Sequence, residues 1–507
     1  MLNEHAALPN QKQVVGGKTM FLASVWVMGM RWSVRGIGLL STLILVRLLT
    51  PNDFGLVAKA MLVVSMLEVM AESGQRLAII RHPAPTRAHY DTAWTISIMV
   101  NGVLAIAIFF AAPLAGVFFG EPNAIPLVRI LAIRTLLNGL ENIGTVDFRR
   151  NMDFSKDFKF NVAKKICGFV VTMSLAVYFR NYIALIGGMV IGQLLAIILS
   201  YVMVSYRPRL SLEKLSEIWS FSVWVLVAST GSYLLSRLDQ WVVGSRASDA
   251  VMGQYLIGSE LGQLPTSELI DPVARALYPA YSKLRFSPEH LVTALLSNLE
   301  TIATLVVPCG VGIACIAVDL AAVLLGKQWP ETPQYIAYVA LASAVNGIGL
   351  SASIVLSVMG NVRRDAALSW IRVVVVLACL IVGMRIQGPL GVAKAYLAAS
   401  VLLAPVLFFQ VIQTIPLRLR QVLNIVWRPS LAAAAMAYVL VFLPLTQISA
   451  APARLAVAVL TGAFAYGLVL LLLWLLAGRP ASIEKVLLIQ ARKLISRIPA
   501  QLARRGN

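Results

Sequence analysis

Arg31 and Arg35 stand four residues apart in a stretch, 21–49, that is otherwise almost wholly apolar. On a helix they share one face. Arg237 lies in a similar setting within 218–244, and Arg372 within 366–384. A charge inside a bilayer-spanning helix is costly and normally faces a cavity or a partner. Arginine keeps its charge when buried and grips phosphate through a planar fork, so these four residues are candidates for a cationic cavity that binds an anion. Carboxylates recur in the same setting. Glu68, Glu72 and Arg76 follow at steps of four, and Asp239 lies two residues past Arg237, on a different side of the helix. Asp239, Glu68 and Glu72 are candidates for a coupling cation, or equally for structural pairing. A polar stripe runs through Glu260, Gln263, Ser267, Asp271 and Arg275, and Lys394 lies in a further apolar stretch. Arg129, Glu141 and Arg275 fall near expected helix ends and read as inter-helix ion pairs or as side chains reaching for the interface.

Other chemistry is missing from the sequence. There is no GxxxxGK[ST] loop for ATP, no Ser–His arrangement and no paired carboxylates of a hydrolase. His5, His82, His89 and His290 fall in the N-terminal tail or in loops and are not read as ligands or catalysts. Cys167, Cys309, Cys315 and Cys379 lie in apolar segments without metal-ligand spacing, and read as small buried hydrophobes. The expectation is a non-enzyme with no metal and no cofactor.

The elements that must position these residues are membrane helices. Hydrophobic residues make up 59% of the 507, charged residues 13%, and the mean hydropathy is +0.79. Apolar stretches such as 97–119, 299–325 and 455–477 recur along the whole chain, each long enough to span a bilayer. The polar N-terminus lacks the short apolar core of a cleavable signal. The pattern gives an all-α polytopic membrane protein of about fourteen transmembrane helices. Among the helices expected are 54–80, 124–147, 182–206, 250–278, 290–325 and 429–448. The net charge of +20 would suggest nucleic acid in a soluble protein; here the positive-inside rule accounts for it. Loops holding Arg149, Arg150, Lys156 and Lys159, or Arg207, Arg209 and Lys214, alternate with loops holding only Arg180, Arg246, Lys327, Arg385 or Arg454. That alternation puts both termini in the cytoplasm.

The chain also resembles itself at an offset of roughly 200 residues. Leu114–Gly120 parallels Leu320–Gly326, Asn138-Gly139 parallels Asn346-Gly347, Arg180 parallels Arg385, and Arg47 with Gly55 parallels Arg246 with Gly253. A repeat of six helices enters the membrane in the same orientation twice, an arrangement used by alternating-access transporters. The expected organisation is an N-lobe over 1–206, a linker over 207–217, a C-lobe over 218–415, two further helices over 416–478 and a tail over 479–507. In the tail, Val486, Leu487, Leu494, Ile495 and Ile498 can share one helical face opposite Arg492, Lys493 and Arg497, as in an interfacial helix on anionic lipid.

Particular residues resemble a known family. Val46–Ala60, VRLLTPNDFGLVAKA, is similar to the [AV]RLL-x-P-x-DFGL signature of bacterial polysaccharide transporters, and Trp32-Ser33 upstream fits it. Leu264–Leu284, through Pro265, Pro272, Tyr278, Pro279 and Ser282, resembles their P-x(6)-P-x(5)-[FY]P-x-x-S segment; Phe118–Ile133 is also typical. These transporters belong to the multidrug/oligosaccharidyl-lipid/polysaccharide exporter superfamily. The resemblance covers essentially the whole chain. It implies a MATE-like fold of two six-helix lobes around a central cavity. It also implies a flippase that moves undecaprenyl-pyrophosphate-linked oligosaccharides across the inner membrane for O-antigen, exopolysaccharide or capsule synthesis. A polysaccharide polymerase and a chain-length regulator are the implied protein partners. The alternative in the same superfamily is a cation-coupled drug exporter, whose cationic substrates would favour carboxylates over Arg31, Arg35 and Arg237. The alternative in another class is a membrane glycan polymerase or ligase, which would usually carry a large periplasmic loop that this sequence lacks.

Overall fold

The computed structural model describes residues 17–71, 75–218, 223–360, 362–443 and 447–478. Every regular element among them is helical. The chain begins with α1 (Gly17–Leu48), α2 (Pro51–Ala71), α3 (Gln75–Arg81), α4 (Arg87–Phe119), α5 (Ala124–Gly139) and α6 (Asp147–Arg150). It continues with α7 (Phe154–Phe179), α8 (Ile183–Met203), α9 (Leu215–Ile218), α10 (Val223–Arg246), α11 (Asp249–Gly262) and α12 (Asp271–Leu284). It closes with α13 (Pro288–Cys315), α14 (Ala317–Leu324), α15 (Thr332–Met359), α16 (Val362–Thr414), α17 (Leu419–Phe442) and α18 (Ala451–Leu476). Among the described residues, eight helices are long and apolar enough to cross a membrane. Large apolar side chains such as Phe110, Val117 and Leu460 are exposed along them, as a lipid-facing surface requires. The chain is a multi-pass membrane protein. The tail over 479–507 lies outside the described residues, as does Glu72.

The helices form two compact units. The first comprises Met1–Leu45, Ala71–Ala107 and Ile130–Ser220; the second comprises Val46–Met70, Ile108–Arg129 and Phe221–Asn507.

In the first unit α7 and α8 form a tight hairpin. Asp153 caps α7 by accepting the N–H of Lys156, and Arg180 ends it in the left-handed region at φ 50°. Gly188 sits where a Cβ would overlap Thr172, so the two helices approach through small residues, as membrane helices commonly do. The helix expected over 124–147 stops at Gly139. Asn142 then accepts the N–H of Gly144 at 2.9 Å and starts a short 3-10 turn, Ile143–Val146; a side-chain acceptor here outcompetes the helical ladder. The helix expected over 182–206 stops at Met203. Beyond it the chain runs as a strap whose backbone is held by side chains of α4. Asp91 accepts the N–H of Arg209 at 2.7 Å, Thr95 that of Ser211 at 2.9 Å, and Thr92 that of Lys214 at 3.2 Å. The strap ends on α9, where hydrogen bonds from Lys214 and His89 hold the Glu217 carboxyl down at about 2. Because that value is depressed, the contact adds stability above the ordinary carboxylate range and loses it as pH falls toward 2.

Several expected helices divide. Residues 54–80 appear as α2, in the second unit, and α3, in the first, with 72–74 outside the described set. The other divisions fall in the second unit. Residues 250–278 become α11, a π-helical stretch Pro265–Ile270, and α12. Pro272 has no N–H to return to the 268 carbonyl, so the ladder opens into a wider turn just before it. Residues 290–325 become α13 and α14, with Ile316 at non-helical dihedrals between them. The segments expected over 366–384 and 389–415 are two halves of α16, which reverses at Gln387 and Gly388; Gly388 has φ 60°. Gly383 and Gly391 then meet without room for a Cβ on either. The helix expected over 429–448 begins ten residues earlier, at Leu419. Arg428 is therefore not a loop cation but a buried one, paired with Glu300 of α13 at 3.1 Å. Arg454 of α18 pairs with Asp319 of α14 at 2.5 Å. The apolar core of this unit lies among α12, α13, α15, α16 and α17, around Tyr281, Leu295, Leu299, Val355 and Val411.

Glu141 is the electrostatic centre of the first unit. It is buried beside the 3-10 turn and takes Arg76 of α3 at 3.1 Å and Lys164 of α7 at 2.8 Å. Glu141→Gln should lower the melting temperature of the purified protein by several degrees, because two cations lose one shared anion. Arg76→Gln should cost less, since Arg76 is half exposed. Fluorescence-detected unfolding of the two variants checks the order.

Candidate functional site

The turn from α1 to α2 packs face to face with the turn from α10 to α11 inside the second unit. Both turns are capped. The Asp53 carboxylate accepts the Thr50 N–H at 2.9 Å and the Thr50 hydroxyl at 2.6 Å. Ser248 accepts the N–H of Val251 at 3.5 Å. One turn into each helix stands a glycine, Gly55 in α2 and Gly253 in α11. A Cβ on Gly55 would overlap the Asp249 carbonyl, and a Cβ on Gly253 would overlap the Pro51 carbonyl. Each glycine thus faces the first residue of the other helix, and the contact is reciprocal. One turn further, Lys59 is 2% exposed and reaches the Asp249 carboxylate at 2.6 Å and the Ala247 carbonyl at 3.0 Å. Arg47 donates to the Val323 and Leu324 carbonyls at the C-terminal end of α14, at 2.5 and 3.4 Å, where a cation complements the helix dipole. Trp329 Nε1 donates to the Val46 carbonyl at 2.9 Å, and Gln328 donates to the same oxygen.

The same unit encloses a cavity of about 510 Å³ among α10, α15 and the two halves of α16. Arg372 lines it and donates from Nη2 to Gln410 Oε1 at 3.2 Å. Arg237 is half-buried on α10 and donates to Gln240 Oε1 at 3.3 Å. Asp239 is buried at 1% exposure and accepts the hydroxyl of Tyr255 at 2.9 Å. The Arg237 and Asp239 side chains therefore serve different neighbours, as their spacing requires. Glu68 is half-buried on α2, one turn beyond Ser65, whose hydroxyl meets that of Tyr233 at 2.6 Å. In the first unit, Arg31 is half-buried and Arg35 exposed on α1. Within the polar stripe of 260–275, the side chains of Asp271 and Arg275 lie outside the described set.

Two features escaped the sequence. The hydroxyl lining of the cavity is spread over α10, α15 and both halves of α16, with no local pattern to mark it. The cluster of His82, His89 and Glu217, whose ligand-type atoms come within 4.8 Å of one another, joins a loop to a helix far along the chain. The backbone N–H of Ala84 donates to Nδ1 of His82, and that of Thr86 to Nδ1 of His89. Each ring then carries its proton on Nε2, and His89 Nε2 donates to Glu217 at 2.9 Å. That arrangement clamps the strap of the first unit.

Long apolar helices with lipid-facing surfaces define a multi-pass membrane protein, in which two turns meet through a reciprocal glycine contact. The chain belongs to the family described as Polysaccharide biosynthesis protein, whose pattern it matches over residues 44–334. It is 20% identical over 406 residues to the Lipopolysaccharide biosynthesis protein WzxC of Escherichia coli (strain K12), covering 78% of this chain and 82% of that one. It is 24% identical over 362 residues to the Succinoglycan biosynthesis transport protein ExoT of Rhizobium meliloti (strain 1021), covering 70% and 72%. Its fold is that of the lipid II flippase MurJ in an inward closed conformation, with a TM-score of 0.72 at 16% identity over 90% of this chain and 99% of that one.

The Lys59–Asp249 pair gives a direct test of the turn contact. Lys59→Met leaves a carboxylate in a dry site and should destabilise the purified protein by about 3–5 kcal/mol, the usual cost of removing one partner from a buried pair. The double variant Lys59→Met, Asp249→Leu should regain most of that loss, since two apolar side chains replace both charges. Denaturation of the three proteins side by side reads the difference.

Proposed function

We propose that this chain is an alternating-access flippase of the bacterial inner membrane. Its substrate is an undecaprenyl-pyrophosphate-linked oligosaccharide repeat unit, moved from the cytoplasmic to the periplasmic leaflet for O-antigen, exopolysaccharide or capsule synthesis. The observation that carries the reading is the contact of Gly55 with Asp249 and of Gly253 with Pro51. Two turns that correspond in the internal repeat meet reciprocally, backbone on backbone. Such a contact can close one side of a two-lobed carrier and part again without unfolding either half. Membership of a polysaccharide biosynthesis family, and a relative named as a transport protein, support the choice of substrate.

In this reading fourteen helices span the membrane. Residues 1–206 and 218–415 are parallel six-helix lobes joined by 207–217. Residues 416–478 add two helices, and 479–507 lie on anionic lipid. Both termini are cytoplasmic. Arg31, Arg35 and Arg237 hold the pyrophosphate and Arg372 also contacts substrate, while Asp239, Glu68 and Glu72 serve ion coupling. A planar guanidinium fork matches the paired oxygens of a pyrophosphate and keeps its charge in an apolar setting. The protein hands its substrate to a polymerase and a chain-length regulator and performs no covalent chemistry itself.

Three experiments test this reading. Cysteines at Lys156 and Arg209 should label only from the cytoplasm, and those at Arg180 and Lys327 only from the periplasm; inverted labelling would overturn the orientation. Deleting the gene should abolish one surface polysaccharide and trap its lipid-linked repeat unit on the cytoplasmic leaflet. Normal polymer with new drug sensitivity would favour a drug exporter instead. In that deletion strain, the triple variant Arg31→Ala, Arg35→Ala, Arg237→Ala should reach the membrane at normal levels and restore no polymer. Lysine at the same positions should restore part of it, keeping the charge but losing the fork. Full polymer output from the alanine triple variant would eliminate the cationic-cavity mechanism.

A further inference from the structure

Hydroxyl groups converge on the 510 Å³ cavity of the second unit from three helices, one of them folded back on itself. Ser232 and Ser236 stand four apart on α10, and Asn346, Ser353 and Ser357 share one face of α15. The two halves of α16 add Ser369 and Arg372 from one side and Tyr396 and Ser400 from the other. Serine in a membrane helix commonly does no more than bond its own helix and let a neighbour pack closely. Ser236 and Ser400 do bond back, to the carbonyls of Tyr233 at 2.8 Å and Tyr396 at 2.9 Å. Ser369 does lie in close contact with Gly231, where α10 and α16 pack together, and the cavity opens beside that contact. A back-bonded hydroxyl still offers lone pairs to a ligand.

The lining therefore mixes donors and acceptors at short range. Sugar hydroxyls, each both donor and acceptor, need that mixture. Leu235, Leu350, Leu403 and Leu407 give apolar walls for the C–H faces of a sugar ring. Among the described lining residues there is no carboxylate, which a cationic drug would need. Arg372 brings a planar fork, oriented by its bond to Gln410, that suits an anionic substituent. The volume falls in the range of small-ligand sites and leaves room for a few sugar rings.

We infer that this cavity is a glycan subsite, holding the sugar portion of the substrate with Arg372 against an acidic group on it, a carboxylate or a phosphate. The inference rests on the flippase reading and assigns this unit a part of the substrate distinct from the pyrophosphate and the lipid. It predicts selection among glycans by the second unit.

The test uses the full-length protein with its four cysteines replaced by serine and one cysteine introduced by Ser357→Cys, or by Ser353→Cys in a second variant. Labelling by a methanethiosulfonate reagent is timed in membranes from three strains. One lacks the polymerase and accumulates the complete lipid-linked repeat unit; one makes only the first lipid-linked sugar; one makes neither. The expected result is labelling at least fivefold slower with the complete repeat unit, and unchanged with the single sugar. Adding Arg372→Gln should abolish the protection, and Arg372→Lys should retain part of it. Equal rates in all three strains, or equal protection by the single-sugar lipid, would overturn the inference, the latter by assigning the cavity to pyrophosphate or lipid. Failure of both cysteines to react in any strain would overturn it too, as would protection that survives Arg372→Gln. None of these outcomes touches the flippase reading, which stands or falls on the lipid-linked species that accumulates in the deletion strain.

Discussion

Backbone meets backbone at the turns of α2 and α11, and the order of the second unit follows from that contact. Gly55 and Gly253 leave no space for a side chain, so each helix start presses directly on the other. With the chains so close, Lys59 can reach Asp249 and the Ala247 carbonyl without crossing water. Arg47, Gln328 and Trp329 then bind the remaining carbonyls of α1 and α14. Polar groups of this kind are costly when left bare in an apolar setting. Satisfying them at one place, by side chains of neighbouring turns, leaves the long helices between them apolar and free of obligations.

The same economy governs the other charged residues. Glu141 is shared by Arg76 and Lys164, Arg428 is answered by Glu300, and Arg454 by Asp319. Asp239 is answered by the Tyr255 hydroxyl. The Arg428–Glu300 and Arg454–Asp319 contacts join helices distant in the chain, and they fix which helix faces which more sharply than apolar packing does, since leucine has no preferred neighbour in lipid. Against that background the hydroxyl-lined cavity stands out. Its helices pack closely at Gly231 and Ser369 and leave a half-open space beside that contact.

A polysaccharide biosynthesis family and the fold of a lipid II flippase are consistent with one physical scheme. The substrate proposed above joins a lipid, a diphosphate and a glycan, which need lipid-facing apolar surface, fixed cations and hydroxyl groups respectively. In that proposal exposed Phe110 and Leu460 belong to the first kind of surface, the arginines of α1 and α10 to the second, and the serines of α10 and α15 to the third. In the second unit, motion that parts the turns of α2 and α11 would break the backbone contact of Gly55 and Gly253 together with the buried Lys59–Asp249 pair.

Hydropathy alone determined that the chain is helical and crosses a membrane, because lipid forces each span to satisfy its backbone internally over a minimum length. It also located the reversal near 385–388, since a glycine, a proline and a charge interrupt the apolar run there; the motif Val46–Ala60 was legible through its resemblance to a family signature. The pairing of Arg47 and Gly55 with Arg246 and Gly253 was legible as a weak repeat, but that those glycines touch was not. Nor was the end of α8 at Met203, which depends on Asp91, Thr92 and Thr95 of a distant helix claiming the backbone of the strap. Arg428 stands just before the helix expected over 429–448, and only its pairing with Glu300 inside α17 decides that it is buried. The cavity around Arg372 was hidden for the same reason. Its hydroxyls, those of serines with Thr266 and Tyr396, come from elements far apart in the chain, and only the packing of α10, α15 and α16 brings them around one space.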